Sequence, residues 1–350
     1  MTVRIINADV MEGLRQLPDE SVHCVVTSPP YWGLRDYGVE GQLGLEATFG
    51  TYVTTMADVF DEVRRVLRTD GTLWLNLGDC YAGSWGAQSR GSETLGTLDG
   101  GSMLSARQIE AHPKTTRTGS GNRFPGLKPK DLVGIPWRVA FALQARGWWL
   151  RSDIIWHKPN PMPESITDRP TKAHEYVFLL AKSATYFYDA EAIAETAIGP
   201  PGGNITPTKG VGDEKMRTRN GLHLAQQRAR EAGGFSTRNK RTVWSITTNP
   251  FSEAHFATFP PELPEICIKA GCPKGGTVLD PFGGAGTTGL VADRLQRDCI
   301  LIELNSDYAA MARRRIDADR GALLDAMEAE PTFDEQVTAD ADSPRVERVA

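Results

Sequence analysis

The sequence predicts an α/β fold, with a mostly parallel sheet that helices cover on both faces. Segments of strand length alternate with segments of helical periodicity along most of the 350 residues. The strand segments are near-continuous apolar runs, which is typical of strands buried on both faces. The chain is 40 % hydrophobic, no apolar run is long enough to span a bilayer, and residues 1–10 lack the pattern of a secretory leader. We therefore expect a cytoplasmic protein with one large domain or two modest ones.

The elements can be assigned in order along the chain. Apolar residues at helical spacing define the helices, as with Val59, Val63 and Val66 before the Asp-Gly turn at Asp70. The predicted elements are, in chain order, strand 3–9, helix 9–17, strand 22–28, helix 55–68, strand 72–79, helix 134–147, strands 148–158, 176–183 and 277–282, helix 287–295, strand 299–304 and helix 306–320.

Two irregular segments and a tail interrupt this alternation. Residues 83–130 are rich in Gly, Ser and basic residues, and residues 198–241 are rich in Gly, Pro, Asn and Arg. Residues 321–350 are acidic, and we expect them to be disordered. The predicted core is therefore 1–82, 131–197 and 242–320, with 83–130 as a flexible insertion. The net charge of −5 is concentrated in the tail, so the two basic segments can still follow a phosphate backbone, although solvated loops explain them equally well.

The cysteines do not indicate a metal site. The five are scattered without a C-x-x-C pair, and no His, Cys and carboxylate spacing resembles a metal-binding motif. We expect reduced, buried thiols and no metal.

A glycine-rich loop follows the strand at 277–282. Gly284, Gly286 and Gly289 satisfy G-x-G-x-x-G, and Glu303 stands about twenty residues further on, as a ribose-binding acid does. A nicotinamide-dependent oxidoreductase must therefore be considered. However, Asp280 lies where a pyrophosphate would bind. A carboxylate there repels phosphate but attracts the ammonium and sulfonium groups of S-adenosylmethionine.

The stretch SPPYW follows the strand at 22–28. Ligands bind beyond the carboxyl ends of strands in open α/β sheets, so Ser28 and Asp280 are expected at the same edge. Prolines stiffen the backbone and fix its carbonyls, while Tyr31 and Trp32 add flat apolar faces. A hydroxyl, a fixed carbonyl and a stacking ring together suit the exocyclic amine of a flat base.

These two motifs resemble motifs IV and I of the DNA methyltransferases that act on exocyclic amino groups. The residues concerned are TSPPYW at 27–32 and LDPFGGAGTTG at 279–289, and further segments between Val3 and Arg320 fit the same family. The catalytic motif precedes the cofactor motif, as in the β group, whose fold is circularly permuted. The resemblance implies transfer of a methyl group from S-adenosylmethionine to a base in double-stranded DNA that is flipped out of the duplex.

The resemblance also assigns roles to single residues. It places Ser28 and the Pro29 carbonyl on the target amine, Pro30 in the same rigid loop, and Tyr31 against the flipped base. The residues that it assigns to the cofactor are Asp280, Phe282, Gly284 and Gly286 at the methionine part, Thr287 in the same loop, Glu303 at the ribose, Asp9 at the adenine end and Phe259 as a wall of the site.

The target amine is less well defined. A Ser at the first motif IV position is typical of cytosine-N4 enzymes, so Ser28 favours cytosine N4, with adenine N6 as the alternative. Cytosine-C5 chemistry would need a thiolate after a proline, whereas Cys272 precedes Pro273 and lies outside the cleft motif. An RNA or protein-amide methyltransferase and a catalytically silent DNA-binding module are further alternatives.

The resemblance places target recognition in residues 198–241. The candidate DNA contacts there are Arg217, Arg219, Arg228, Arg238 and Arg241. Lys158 lies in a proline-stiffened loop that is expected to line the cleft or contact the target strand, with a plain surface loop as the alternative. His174 and Glu175 are expected to form a structural hydrogen-bonded pair, with a catalytic role as the alternative. A restriction endonuclease is a possible functional companion.

Overall fold

The computed structural model describes residues 1–34, 38–82, 124–196, 237–248 and 258–329. Residues 83–123 of the predicted insertion, 198–236 of the predicted recognition region and 330–350 of the predicted tail therefore lie outside the described residues. The elements are β1 (Val3–Asn7), α1 (Val10–Arg15), β2 (Val22–Thr27), α2 (Phe49–Val66), β3 (Leu67–Leu77), α3 (Ile135–Ala145), β4 (Trp149–His157), β5 (His174–Ala181), β6 (Glu195–Thr196), β7 (Thr237–Arg238), β8 (Val243–Ser245), α4 (Glu262–Gly271), β9 (Thr277–Asp280), α5 (Thr287–Arg294), β10 (Asp298–Glu303) and α6 (Ser306–Ala329).

Eight strands form one sheet in the order β1-β10-β9-β2-β3-β5-β4-β8. Every pairing is parallel except β3 with β5 and β5 with β4. The prediction of a mostly parallel α/β sheet is confirmed. Strand β5 is antiparallel to both of its neighbours, so its first residues lie at the edge where the parallel strands end.

Helices cover both faces of the sheet. One core cluster contains buried side chains of α1, α2 and α3, and the other contains those of α4, α5 and α6. Among the described residues, no helix combines the length and apolar character needed to cross a membrane. All five cysteines are free thiols, and only Cys80 is not fully buried.

Helix α2 begins earlier than predicted, at Phe49 rather than Thr55. The Thr48 hydroxyl caps the helix by accepting a hydrogen bond from the Thr51 amide at 3.1 Å. Tyr52 and Met56 then bury one face against the sheet. This burial and the cap offset the low helix propensity of the Gly- and Thr-rich first turn.

The predicted boundaries of the insertion and the tail are also displaced. Phe124, assigned to the flexible insertion, packs edge-to-face on Trp32 with ring centroids 5.4 Å apart. The Lys130 amide donates to the Ala82 carbonyl at 2.8 Å, which ties residues 124–130 to the core. Helix α6 continues beyond Arg320 to Ala329, because residues 322–329 are mostly strong helix formers such as Ala, Leu, Met and Glu.

Candidate active site

The two motifs singled out in the sequence meet at the carboxyl edge of the sheet. Strand β2 pairs with β9 in parallel, so the residues that come after both strands emerge at the same edge. The Thr27 hydroxyl at the end of β2 donates to Asp280 Oδ1 at the end of β9, at 2.6 Å. This contact joins segments 253 residues apart in the chain.

The Asp280 carboxylate anchors the glycine loop through hydrogen bonds. Its side chain is 1 % exposed. It accepts hydrogen bonds from Thr27, from the Phe282 amide at 3.1 Å and from the Thr288 hydroxyl at 2.6 Å. Burial raises the pKa of Asp280, and the three donors oppose that shift. The carboxylate thus links β2, the loop and α5.

Glycine is present at two positions of the loop for different structural reasons. Gly286 has φ +77° and begins α5, and a Cβ there would lie 2.7 Å from the Ala312 Cβ of α6. Gly284 has φ +49°, and the nearest atom to a Cβ there, among the described residues other than its chain neighbours, would be the Phe282 carbonyl at 3.9 Å. Gly286 therefore permits close helix packing, whereas Gly284 presents bare backbone to an open space that can accept a ligand.

Acidic residues follow the two strands next to this loop. Glu303, at the end of β10, accepts hydrogen bonds from the Gly284 amide at 2.7 Å and from the Asn305 amide at 2.8 Å. Burial raises the pKa of Glu303. Asp9, after β1, caps α1 by accepting from the Met11 amide at 2.9 Å. Because Asn7 and Glu303 are paired in register, both acids lie at the same edge.

Three further cofactor candidates lie in different environments. Phe282 and Phe259 are partly buried and pack against the two separate core clusters. The Thr287 hydroxyl accepts from Arg315 of α6 at 2.9 Å, and Thr287 is 4 % exposed. The Thr287 hydroxyl is therefore bonded to α6, whereas the hydroxyl of the next residue, Thr288, donates to Asp280.

The SPPY loop holds its polar groups in a connected arrangement. The Ser28 hydroxyl donates to Tyr31 Oη at 3.4 Å. The Pro30 carbonyl accepts from the Tyr52 hydroxyl at 2.8 Å, whereas none of the donors in the described residues bonds to the Pro29 carbonyl. Pro29 itself is buried, and the resemblance assigns its carbonyl to the target amine.

The Tyr31 ring lies against Gly78, where an added Cβ would be 2.4 Å from Cε2 of the ring. Its hydroxyl donates to Glu175 Oε2 at 2.7 Å and lies 3.2 Å from Asn76 Oδ1. Burial and the Glu175 carboxylate raise the pKa of Tyr31 well above its usual range, so the phenol stays protonated.

Trp32 was expected to offer a flat apolar face beside Tyr31, and this expectation is wrong. Trp32 is 1 % exposed, and its indole N–H donates to the Glu46 carbonyl at 2.9 Å. Its ring packs edge-to-face against Phe49 and Phe124. It anchors the loop in the core instead of facing a ligand.

Glu175 lies in the site, whereas the sequence favoured a structural pairing with His174 over a catalytic role. The expected hydrogen bond between His174 and Glu175 is absent from the described contacts. The Glu175 carboxylate instead bonds Tyr31, the Asn76 amide at 3.2 Å and the ammonium group of Lys158. The loop of Lys158 was expected to line the cleft or contact the target strand, or to be a plain surface loop. In the structure its ammonium group pairs with Glu175, and its side chain is 20 % exposed. The sequence offered one signal for this contact, because Lys158 ends one predicted strand and Glu175 directly precedes the next.

The DNA-contact candidates are only partly described. Arg217, Arg219 and Arg228 lie outside the described residues. Arg238 and Arg241 both form ion pairs with Glu195, at 3.3 and 3.0 Å. Their side chains are 34 % and 68 % exposed respectively, so Arg241 is the more accessible of the two.

A family model for DNA methylases of the N6/N4 type matches residues 22–314. The chain belongs to this DNA methylase family. It is 45 % identical to the Type II methyltransferase M.SmaI of Serratia marcescens over 313 residues, which span 89 % of this chain and 90 % of the relative. It is 43 % identical to the Type II methyltransferase M.Cfr9I of Citrobacter freundii, across 90 % of this chain and 88 % of the relative.

Solved structures share the fold of this methylase. The DNA modification methylase TTHA0409 of Thermus thermophilus, complexed with S-adenosyl-L-methionine, has a TM-score of 0.52 at 23 % identity and covers 91 % of this chain and 96 % of its own. The PvuII DNA methyltransferase has a TM-score of 0.57 at 19 % identity and covers 93 % of both chains. The open backbone at Gly284 and the acid Glu303 beside it fit S-adenosylmethionine. The methylase is thus an S-adenosylmethionine-dependent enzyme that acts on DNA.

Proposed function

We propose that this methylase transfers the methyl group of S-adenosylmethionine to the exocyclic N4 of a cytosine flipped out of duplex DNA. The observation that carries the proposal is the Ser28 hydroxyl next to the Pro29 carbonyl, which accepts from no donor in the part of the chain that the structure describes. The Ser28 hydroxyl donates to Tyr31 Oη, so its oxygen can accept a hydrogen bond from the amine N–H, and a Ser at this motif IV position is typical of cytosine-N4 enzymes. The PvuII methyltransferase, which has the same fold, is named cytosine-N4-specific.

The proposed chemistry needs little more than placement and acceptors. S-adenosylmethionine supplies the methyl group. Ser28 and the Pro29 carbonyl would draw the amine lone pair out of conjugation with the ring, so that nitrogen becomes the nucleophile. Stacking on Tyr31, worth about 1–3 kcal/mol, would help offset the cost of flipping the base.

The cofactor roles are assigned from the same geometry. The buried negative charge of Asp280 lies beneath the loop and attracts the ammonium and sulfonium groups. Glu303 would exchange its bond with the Gly284 amide for the ribose hydroxyls. Asp9 would lie at the adenine end, with Phe259 and Phe282 as apolar walls.

Product analysis tests the target. Duplex DNA of mixed sequence is incubated with methyl-labelled cofactor, digested to nucleosides and analysed by mass. We expect 4-methylcytosine. A 6-methyladenine product would show that adenine N6, the alternative target, is methylated instead. Absence of any labelled nucleoside would refute both targets. RNA of the same sequence serves as the competing substrate, and we expect it to remain unlabelled.

Two variants test the division of roles. Ser28→Ala should lower turnover by at least about 100-fold with nearly unchanged cofactor affinity, because the lost hydroxyl acts on the target amine. Asp280→Ala should weaken cofactor binding. Isothermal titration with S-adenosylmethionine and single-turnover rates measure the two effects. If both variants lose the same property, the assignment fails.

We also infer a companion restriction endonuclease, since the relatives M.SmaI and M.Cfr9I are named Type II methyltransferases. A methylase that protects DNA from such a partner modifies one short sequence at nearly every copy. Sequencing of methylated bases in DNA treated to completion should show this pattern. Methylation scattered over unrelated sequences would contradict the inference.

A further inference from the structure

A chain of hydrogen bonds leads from the SPPY loop to a carboxylate on another strand. The Ser28 hydroxyl donates to Tyr31 Oη at 3.4 Å, and Tyr31 Oη donates to Glu175 Oε2 at 2.7 Å. Both donors point in the same direction, away from the loop and towards Glu175. The chain therefore has the polarity that is needed to carry a proton out of the target site.

Strand direction explains how Glu175 reaches this position. Strand β5 runs antiparallel to β3, and Leu77 at the end of β3 is paired with Tyr176 near the start of β5. The first residues of β5 therefore lie at the edge where the parallel strands end. Strand β4 ends at the same edge, since His157 is paired with His174, and this brings Lys158 to Glu175.

The surroundings of Glu175 keep its carboxylate fixed. Its side chain is 16 % exposed. Asn76 Nδ2 donates to Oε2 at 3.2 Å, and the Lys158 ammonium group pairs with Oε1 while lying 4.3 Å from the centroid of the Trp156 ring. The other ionisable groups that face Glu175 are Lys172 and His174, both at or before the start of β5.

The reaction requires a proton acceptor. An exocyclic amine that gains a methyl group carries a positive charge until it releases one proton. The Ser28 hydroxyl can take that proton while passing its own to Tyr31, which passes its own to Glu175. At the end Ser28 and Tyr31 are unchanged, the methylated base is neutral and Glu175 is a neutral carboxylic acid. One proton has moved and no other reactant is needed.

We propose that Glu175 is the terminal acceptor of the proton released by the target amine, acting through Tyr31 and Ser28, with Lys158 as the residue that positions its carboxylate. This inference rests on the proposed amine chemistry, and it holds for either cytosine or adenine as the target. It gives Tyr31 a second role, in its hydroxyl, besides the stacking role of its ring.

The test compares single-turnover methylation rates at saturating cofactor and DNA across pH. Glu175→Gln keeps the shape of the side chain but cannot accept the proton, and Tyr31→Phe keeps the stacking ring but breaks the chain. We expect each to lower the rate at neutral pH by at least about 100-fold, the usual scale of acid–base catalysis. Affinity for S-adenosylmethionine should change by less than about twofold in both variants, because neither side chain belongs to the cofactor loop.

The pH profile separates proton transfer from simple positioning. The wild-type rate should decline at low pH, as expected when a base accepts the proton of the reacting group, and this decline should be absent in Glu175→Gln. Glu62→Gln is the matched control, because Glu62 is an ion-paired carboxylate on α2 bonded to Arg65. It should retain both the wild-type rate and the wild-type profile.

The results discriminate between the proposals. A Tyr31→Phe rate within about threefold of wild type would overturn the relay, since only the ring would then matter. An unchanged decline at low pH in Glu175→Gln would overturn it as well. If Glu175→Gln does not fold, Tyr31→Phe decides alone. Absence of a methylated base in the wild-type product refutes the amine function instead, so the two failures are distinguishable.

Discussion

Alanine substitution should have different main effects at two glycines of the cofactor loop. At Gly286 it should mainly lower the free energy of unfolding, and at Gly284 it should mainly weaken cofactor binding. A left-handed backbone costs an alanine about 1–2 kcal/mol, and its lower entropy in the unfolded chain returns about 0.4–1 kcal/mol. In Gly286→Ala the new Cβ would also lie 2.7 Å from the Ala312 Cβ and 3.1 Å from its Cα. Overpacking of this kind adds about 1–3 kcal/mol. We expect a loss of about 1–5 kcal/mol in the free energy of unfolding for Gly286→Ala, and of about 0–1.6 kcal/mol for Gly284→Ala.

Cofactor binding should show the reverse order. Among the described residues other than its chain neighbours, the nearest atom to the added methyl at Gly284 would be the Phe282 carbonyl at 3.9 Å, so the methyl would project into the space proposed for S-adenosylmethionine. We expect its dissociation constant to rise at least about tenfold, equivalent to about 1.4 kcal/mol. Gly286→Ala, measured well below its unfolding midpoint, should bind more tightly than Gly284→Ala.

Urea unfolding and isothermal titration with S-adenosylmethionine measure the two quantities on the same preparations. Normal cofactor affinity in Gly284→Ala would show that the cofactor does not pass over this glycine. A Gly286→Ala variant as stable as wild type would refute the packing argument. Each result would leave the other half of the reasoning intact.

Three further outcomes depend on single contacts. Trp32→Ala should reduce the free energy of unfolding by about 3–5 kcal/mol, measured in urea, because it empties a fully buried site; a loss below about 1 kcal/mol would contradict this. Burial raises the pKa of Asp280 above 3.8, so its protonated form contributes stability that is complete below pH 3.8 and is lost as pH rises through the folded pKa. The stability of wild type relative to Asp280→Asn should therefore fall as pH rises above about 3.8, and a rise would contradict the sign. Arg241→Gln should reduce the slope of log affinity for DNA against log salt by about 0.9, while Arg238→Gln, whose side chain is half as exposed, should leave it unchanged; equal slopes for both would refute this distinction.

Much of the site could be predicted from local sequence. SPPY after one strand and DPFGGAG after another are short signals, and parallel neighbouring strands bring the loops after their carboxyl ends to one edge of the sheet. The contact between Thr27 and Asp280 confirms that the two motifs meet there. Trp32 could not be assigned correctly, because the sequence does not show that Phe49 and Phe124 close over it.

Local sequence is sufficient to predict the α/β class and the two motifs that meet at the sheet edge, because apolar runs and the conformational limits of Gly and Pro act within a few residues. The antiparallel position of β5 between β3 and β4 depends instead on packing between distant segments. That pairing joins segments about a hundred residues apart, as in the contact between Asn76 and Glu175, and no local propensity specifies it. This strand pairing places Glu175 next to the Tyr31 hydroxyl and Lys158 next to Glu175. It thereby provides the proposed acceptor for the proton that the target amine releases at the SPPY loop.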